Sequence, residues 1–481
     1  MNRRFDPARI SAGIGVCAFL SACAVGPDYR APDLAMPETW SSEPAGGQKK
    51  ARADDFTEWW ASFDDPLLTD LIEQALADNP DRKSALARVR EARARRGVSR
   101  AGLFPAVDAS GSASTTDSED AGGQSDWRDL YSAGLDASWE IDVFGGVRRS
   151  VEAANAAYEA RQADYFDILV SLAAETGFAY VDVRALQERL RVTRANLAAQ
   201  ERTYDLTRWR AEAGMSAMLD VEQARSNLAA TRAQIPLLES DLAAALNSLS
   251  ILLGQAPGTL AAPVVEAGPV PATSADIVVG VPADLLRQRP DIRSAERDLA
   301  AQSARIGVAE ANLYPRFQLF GSITGASSNI SDVFSGGNIA ETLTANITAP
   351  VFQAGRLRRN VEIEDAVFEQ TLAAYESTVL QALKEVEDAL AAVSAANLRT
   401  SALLEAVDAA QHVYALARQE YESGLVDFDQ VLDAQRTLLS QEDNLVQSRS
   451  FEATAMISLY KALGGGWTPA GAIEASSRPH R

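Results

Sequence analysis

Histidine is almost missing from this chain: 481 residues hold two, His412 and His480. A Ser-His-Asp triad or a zinc-protease helix needs more parts than that. No GxxxxGK[ST] phosphate loop occurs, and Gly464-Gly465-Gly466 follows a helical run rather than a strand. Acid pairs such as Asp427/Asp429 read as solvated carboxylates. No catalytic set, no metal site and no cofactor are therefore expected, and an enzyme is excluded. Basic residues are also short, 45 against 66 acidic ones, for a net charge of −21. Nucleic acid needs a basic face, so it is not the partner. Beyond the amino terminus no apolar run reaches 18 residues, so no helical membrane span is expected.

Cysteine is the next scarcity. Cys17 and Cys23 both fall in the first 23 residues. Ahead of them stand Arg3-Arg4 and an apolar core over 10–20, too short to span a bilayer and right for a secretory signal peptide. Leu20-Ser21-Ala22-Cys23 resembles a bacterial lipobox, which makes residues 1–22 the leader and Cys23 the lipidated first residue. Three arginines and one aspartate leave with the leader, so the mature chain carries −23. One cysteine remains, and no intrachain disulfide is possible. Residues 23–65 are rich in Pro, Gly and Ser without periodicity and read as an anchor and extended strap.

Glycine and proline are absent where they would matter most. From Arg356 to Ser423 there is neither. Phe368, Leu372, Tyr375, Val379, Leu383, Val386, Leu390 and Val393 step by four or three, a helical period near that of a coiled coil. At about 1.5 Å per residue this arm is roughly 100 Å long. A turn at Gly424 then leads into a second helical arm that ends at Leu463.

The same hairpin occurs 210 residues earlier. Gly424 falls on Gly214, Leu463-Gly464 on Leu253-Gly254, Glu385 on Glu175, and Arg358-Arg359 on Arg148-Arg149. The register extends upstream, with Arg289-Pro290-Asp291 over Asn79-Pro80-Asp81. One unit is used twice: residues 66–254 and 282–466, joined by a connector at 255–281, with a loose tail at 467–481. In the first unit a helix is expected over 66–102 and a long helix over 147–213, whose return arm Pro236 should kink or break.

Between the helices the period changes to two. Tyr131, Ala133, Leu135, Ala137, Trp139, Ile141 and Val143 alternate with polar residues, and 107–114 alternates likewise across an acidic, Gly-rich loop at 115–129. Residues 317–324 and 342–351 repeat the arrangement. Four amphipathic strands cannot close a barrel, since the smallest membrane barrels have eight. Closure therefore needs copies of the chain.

Five spaced segments then carry a family resemblance: Val25-Gly26-Pro27-Asp28-Tyr29; the stretch from Val281 to Arg293; Pro350-Val351-Phe352-Gln353-Ala354-Gly355-Arg356; Tyr421 to Gly424 with Val431-Leu432-Asp433-Ala434-Gln435; and Leu459 to Trp467. The chain resembles the TolC-like outer-membrane efflux proteins, in their lipoprotein (NodT-type) branch. The resemblance implies a mainly α fold with a β-barrel part: a trimeric α/β-barrel channel of long coiled-coil hairpins and four transmembrane strands per protomer. It implies a homotrimer in the outer membrane, in contact with its lipids and extending into the periplasm. Its partners would be a periplasmic adaptor (membrane fusion) protein and an inner-membrane resistance-nodulation-division pump. It puts Gly214 and Gly424 at the tip turns and Asp433, Leu425 and Val426 at the periplasmic gate. Gln430 stands where some members carry a second acid, and Val426 where some carry an arginine. Two other readings share parts of this pattern: the exit component of a type I protein secretion system, and a pore-less periplasmic coiled-coil scaffold.

Overall fold

The computed structural model describes residues 24–33, 37, 40–41, 56–119, 125–271 and 289–467. Cys23, the leader, most of the strap and the tail from 468 onward lie outside them. The helices are α1 (Pro66–Asp78), α2 (Pro80–Ala101), α3 (Gly146–Glu212), α4 (Met218–Leu252), α5 (Ala262–Val265), α6 (Pro290–Ala311), α7 (Arg356–Glu422) and α8 (Phe428–Ala462). The strands are β1 (Ala106–Glu119), β2 (Ser125–Ile141), β3 (Arg316–Ser327) and β4 (Ile339–Thr348). The long hairpin arms match each other in length, 67 and 35 residues in both halves. Their bounds differ by 210, as the repeat demands.

The chain forms two compact units. One comprises residues 1–34, 87–162 and 294–376, the other 35–86, 163–293 and 377–481. The first contains the sheet. Its strands run β1-β2-β3-β4, each antiparallel to its neighbour. The β2–β3 ladder joins the two halves of the duplication, and β1 and β4 are the free edges.

The second unit has an aromatic and aliphatic core. Trp59 stacks on Tyr460 with ring centroids 5.6 Å apart and meets Trp60 and Phe63 edge-on. Gly177, the one glycine inside α3, sits under this cluster: a Cβ there would lie 3.2 Å from Trp59 and 3.1 Å from Ile457. The glycine costs the helix some intrinsic stability and lets the indole in. The connector is fixed by α3, where Arg184 donates to the carbonyls of Pro263 and Glu266 and Gln187 to those of Val264 and Val265.

Four expectations change. Residues 66–102 are two helices, because Asn79 ends α1 and its Oδ1 accepts from the amides of Asp81 and Arg82 to start α2 at Pro80. α4 runs unbroken through Pro236. Much of 115–129 is strand, since Thr115 pairs with Asp129 and donates to its carboxylate at 2.7 Å. Cross-strand pairing there outweighs composition. Finally, α4 is long and apolar enough to cross a membrane by length and composition, with a mean hydropathy of 1.3 over 18 residues. Glu239 and Asp241 divide the segment, so it contains no uninterrupted apolar run of that length. Glu239 is tied to Arg194 of α3 at 2.6 Å, so the hairpin itself holds this charge.

Candidate functional site: an amphipathic sheet and a helical tip

Register decides what the sheet presents. Along β1, Val107 lies opposite Ala137 and Ala109 opposite Leu135. Leu135 then faces Ile323, Trp139 faces Leu319, and Gly321 faces Leu343. One face is thus mainly apolar across all four strands, broken by Glu341 opposite Ile323 and by the Thr115–Asp129 pair near the β1–β2 connection. Its Val107, Leu135, Ile323, Leu343 and Ile347 are 52–76% exposed, with no cover from the described residues. The other face carries serines, threonines and acids, where Ser110 donates to Asp136 and Ser112 bonds Ser132, both at 2.8 Å. Leu130 and Phe320 are the large apolar exceptions on it. A water-soluble sheet buries its apolar face; one facing lipid shows it.

At the helical end of the strands the apolar face runs into aromatic rings. Phe144 stacks on Tyr314 at 4.6 Å and lies 6.4 Å from Phe317, while Phe104 and Phe352 are exposed. Trp139 Nε1 donates to the Leu103 carbonyl at 3.1 Å. Such amphipathic rings suit a bilayer–water boundary. The strap begins here. Val25 N donates to the Phe144 carbonyl at 3.0 Å, and a Cβ on Gly145 would collide with Ala24. Arg149, with its side chain almost wholly buried, donates to the carbonyls of Val25 and Gly26 and to Asp28. Gly26, at φ +93°, lies against Gly307, so neither position has room for a side chain. This accounts for Val25-Gly26-Pro27-Asp28. It also places Ala24, the neighbour of Cys23, beside Gly145.

The tip belongs to the other unit. At both turns the chain reverses through a left-handed glycine, Gly214 at φ +74° and Gly424 at φ +76°. Met215 N closes on the Arg210 carbonyl at 2.8 Å and Leu425 N on the Glu420 carbonyl at 2.9 Å. Both are Schellman caps, which require the positive φ that glycine adopts without strain. Behind Gly424, the buried Tyr421, Phe428, Val431 and Leu432 pack with Tyr204, Leu206 and Tyr414.

The expected gate residues separate in the structure. Asp433 is exposed on α8, as is Asp429 one turn before it. Leu425 projects from the turn at 76% exposure, whereas Val426 packs inward against the Tyr421–Phe428 cluster. Arg210 was not foreseen. It donates to the carbonyls of Tyr421 and Glu422, the last of α7, and its guanidinium lies 4.7 Å over the Tyr421 ring. The repeat could have disclosed it, because its counterpart 210 residues on is Glu420, an acid.

The bare apolar face, the two free edges and the duplicated hairpins together define an outer-membrane channel subunit. The chain belongs to the outer membrane efflux protein family, whose model matches residues 71–255 and again 281–465. The two matches begin and end 210 residues apart, in agreement with the repeat read from the sequence. Among curated proteins it is 32% identical over 452 residues to Nodulation protein T of Rhizobium leguminosarum bv. trifolii, covering 94% of this chain and 96% of that one. It is 34% identical over 464 residues, with the same coverage, to the pyoverdine export outer membrane protein OpmQ of Pseudomonas aeruginosa. Among solved structures, the outer-membrane channel OprN aligns at a TM-score of 0.86 and 36% identity, covering 92% of this chain and all of the other. The expected family and the mainly α, duplicated fold with its four-stranded sheet are thus borne out.

Proposed function

We propose that this protein is the outer-membrane channel of a tripartite efflux system, a passive exit duct for small molecules. The observation that carries the proposal is the sheet: one apolar face without cover and an unpaired edge on either side. Three copies joined β4 to β1 supply twelve strands, enough to close a membrane barrel. The long hairpins of the same copies form the periplasmic tube. A periplasmic adaptor and an inner-membrane resistance-nodulation-division pump are the partners at the tips, where Gly214 and Gly424 turn the chain. Relatives named for antibiotic, toluene and pyoverdine export favour small-molecule efflux over type I protein secretion. The activity is transport and not catalysis.

Cys23 carries the lipid. Ala24 lies at the aromatic end of the apolar strands, where an acyl chain on the preceding residue enters the same leaflet. At the hairpin tip Asp433 and Leu425 line the gate, while Val426 supports it from behind. The test is efflux in cells lacking the chain, with single-channel recording of the purified protein. Restored drug export and a conducting trimer are expected. A stable trimer that never conducts in planar bilayers would mark it as a scaffold.

A further inference from the structure

At the end of the strands farthest from the helices, the chain lays a loop over the sheet. The β3–β4 connection closes on its own hydrogen bonds. Asp332 N donates to the Asn329 carbonyl at 3.1 Å, and Asn338 N to the Ser335 carbonyl at 2.8 Å. The Asp332 carbonyl accepts from Ser335 N at 3.0 Å and from Asn338 Nδ2 at 2.8 Å. Ala326 N donates to the Asn338 carbonyl at 3.1 Å and ties the loop back to β3. Val333 is buried, at 3% exposure. It lies over Gly325, where an added Cβ would stand 2.1 Å from the Val333 carbonyl oxygen. Gly325 has the parity of Ile323 and shares a row with Gly111, Ala133 and Ile339. The loop therefore folds over the apolar face. Gly111, Ala133 and Gly325 leave a shallow recess in that face, and Val333 sits in it.

What the loop turns outward is apolar as well. Ile330 and Phe334 are 73% and 76% exposed. No Lys or Arg occurs from Phe317 to Gly355, so nothing here pairs with phosphate. The first hairpin is built otherwise: β1 and β2 stay paired out to Glu119 and Ser125, past the Thr115–Asp129 pair. The 210-residue offset puts Thr115 where the second repeat has Gly325. A threonine there leaves no room for a chain to fold back. Height agrees with the chemistry. Phe317, eight residues before Gly325, belongs to the aromatic cluster at the helical end. At about 3.3 Å per residue the two are about 26 Å apart along β3. With the tilt of about 40° usual in membrane barrels, that is roughly 20 Å along the normal, within an apolar band about 25 Å tall. Val333 thus lies near the outer boundary of the band, and the acid Glu341, one row nearer the helices, belongs to the same boundary.

We infer that residues 328–338 form a lipid-facing foot. Ile330 and Phe334 enter the outer leaflet among the acyl chains, and Val333 holds the loop against the strands. This rests on the barrel reading above and adds a membrane contact outside the strands. The occupant follows from three observations. The loop lies on the face that the barrel turns to lipid, its exposed side chains extend that apolar surface, and exposed apolar patches of this kind mark membrane contacts. The lack of any cation selects acyl chains over headgroup phosphates. The foot fastens the outer rim of the barrel as the aromatic cluster fastens the inner one.

The test uses the full-length protein in neutral phosphatidylcholine vesicles, spin-labelled at Ile330→Cys or Phe334→Cys. Paramagnetic resonance then compares collisions with oxygen, which concentrates among acyl chains, against those with a water-soluble nickel chelate. Leu343→Cys on the apolar face and Thr342→Cys on the polar face are the references, and the parent protein gives the labelling background. The oxygen-to-nickel ratio at 330 and 334 should be severalfold above that at Thr342→Cys. Gly325→Val should lift the loop and bring the Phe334→Cys ratio down to the Thr342→Cys value, with the Leu343→Cys ratio unchanged. Val333→Asp, which leaves the strand itself alone, should do the same. Ratios at 330 and 334 equal to that at Thr342→Cys, beside a lipid-like Leu343→Cys, put the loop in water and overturn the foot with the barrel intact. A water-like ratio at Leu343→Cys overturns the barrel reading itself.

Discussion

The two repeats solve one problem with different chemistry. Each must fasten the start of a short helix to the end of a hairpin's return arm. In the first, Asn79 Nδ2 donates to the Leu252 carbonyl at 2.9 Å. In the second, the equivalent Arg289 donates to the equivalent Ala462 carbonyl at 2.6 Å and also holds Asp291 and Glu385, each at 2.8 Å. Glu175, the counterpart of Glu385, is exposed and has no such cation among the described residues. The tips diverge in the same sense. Phe428 is buried at 2% exposure, whereas Met218, its counterpart, is 68% exposed. The backbone plan was duplicated, and at these two places the second copy received the buried ring and the ion pairs. The first turn remained the softer and more apolar surface.

The largest effect should come from breaking that asymmetry at the tip. Phe428→Ala removes a ring enclosed by Tyr421, Val431 and Leu432 and should destabilise the second hairpin by about 3–4 kcal/mol. Met218→Ala, at an exposed site, should change stability by less than about 0.5 kcal/mol. Urea denaturation followed by tip-specific hydrogen exchange separates the two. Equal losses would mean that the first turn is also packed, against something absent from the monomer.

Next in size is the pair of clamps. Arg289→Ala leaves two carboxylates and a carbonyl without their donor and should cost about 3 kcal/mol. Asn79→Ala removes one hydrogen bond and a helix cap, about 1–2 kcal/mol. Asn79→Arg would face Asp81 and Glu175, the counterparts of Asp291 and Glu385, so it should recover part of that loss. Thermal melting of the three variants checks the order.

How much of this was legible before the structure follows the physics of each element. The ends of α3 and α7 are set by local signals, a long helical run, interrupted in α3 only by Gly177, closed by a glycine with positive φ, and the sequence places them within a residue. The break at Asn79-Pro80 was equally local but was read as helix, because Pro80 sits in the first turn of α2 and ends α1 without disturbing the period. Pro236 misled in the other direction, as α4 absorbs it. The β2–β3 ladder pairs Leu135 with Ile323 across 188 positions, and alternation alone cannot choose a distant partner. Gly214, Gly424 and the exposed Asp433 were readable from the repeat and the family pattern. The inward packing of Val426 and the Arg210 cap depend on helices from different halves meeting, which no single segment encodes.

A smaller effect separates the repeats by pH. Burial, with the charge of Asp291, pushes the Asp167 carboxyl up to about 6, against the pull of Arg289 and Lys461. Its counterpart is Ser377, which does not titrate. A folded pKa above the unfolded one means that the folded state holds the proton more tightly. Stability therefore rises as pH falls through about 6 towards the ordinary carboxylate value. Asp167→Asn should remove that slope and raise the melting temperature at pH 7.5. An unchanged slope between pH 7 and 5 would show that Asp167 is hydrated in the assembled protein.

The smallest effect on stability should come from the acid proposed for the gate. Asp433 corresponds to Gln223 in the first repeat, so Asp433→Gln makes the two return arms alike at this turn. Because Asp433 is exposed, folding should change by less than about 0.5 kcal/mol. Trimer formation should be untouched. Three copies bring three such carboxylates around one axis, and a ring of them attracts cations and focuses the field of an acidic chain. Single-channel recordings of Asp433→Gln should therefore show a weaker cation preference and weaker block by divalent cations from the periplasmic side. Asp429→Asn, one turn away, serves as the control for a general loss of charge. If Asp433→Gln keeps both properties while Asp429→Asn loses them, the ring lies one turn nearer the tip. If neither variant changes selectivity, the acids are bystanders and the constriction is formed by Leu425, which projects from the turn while Val426 props it from inside.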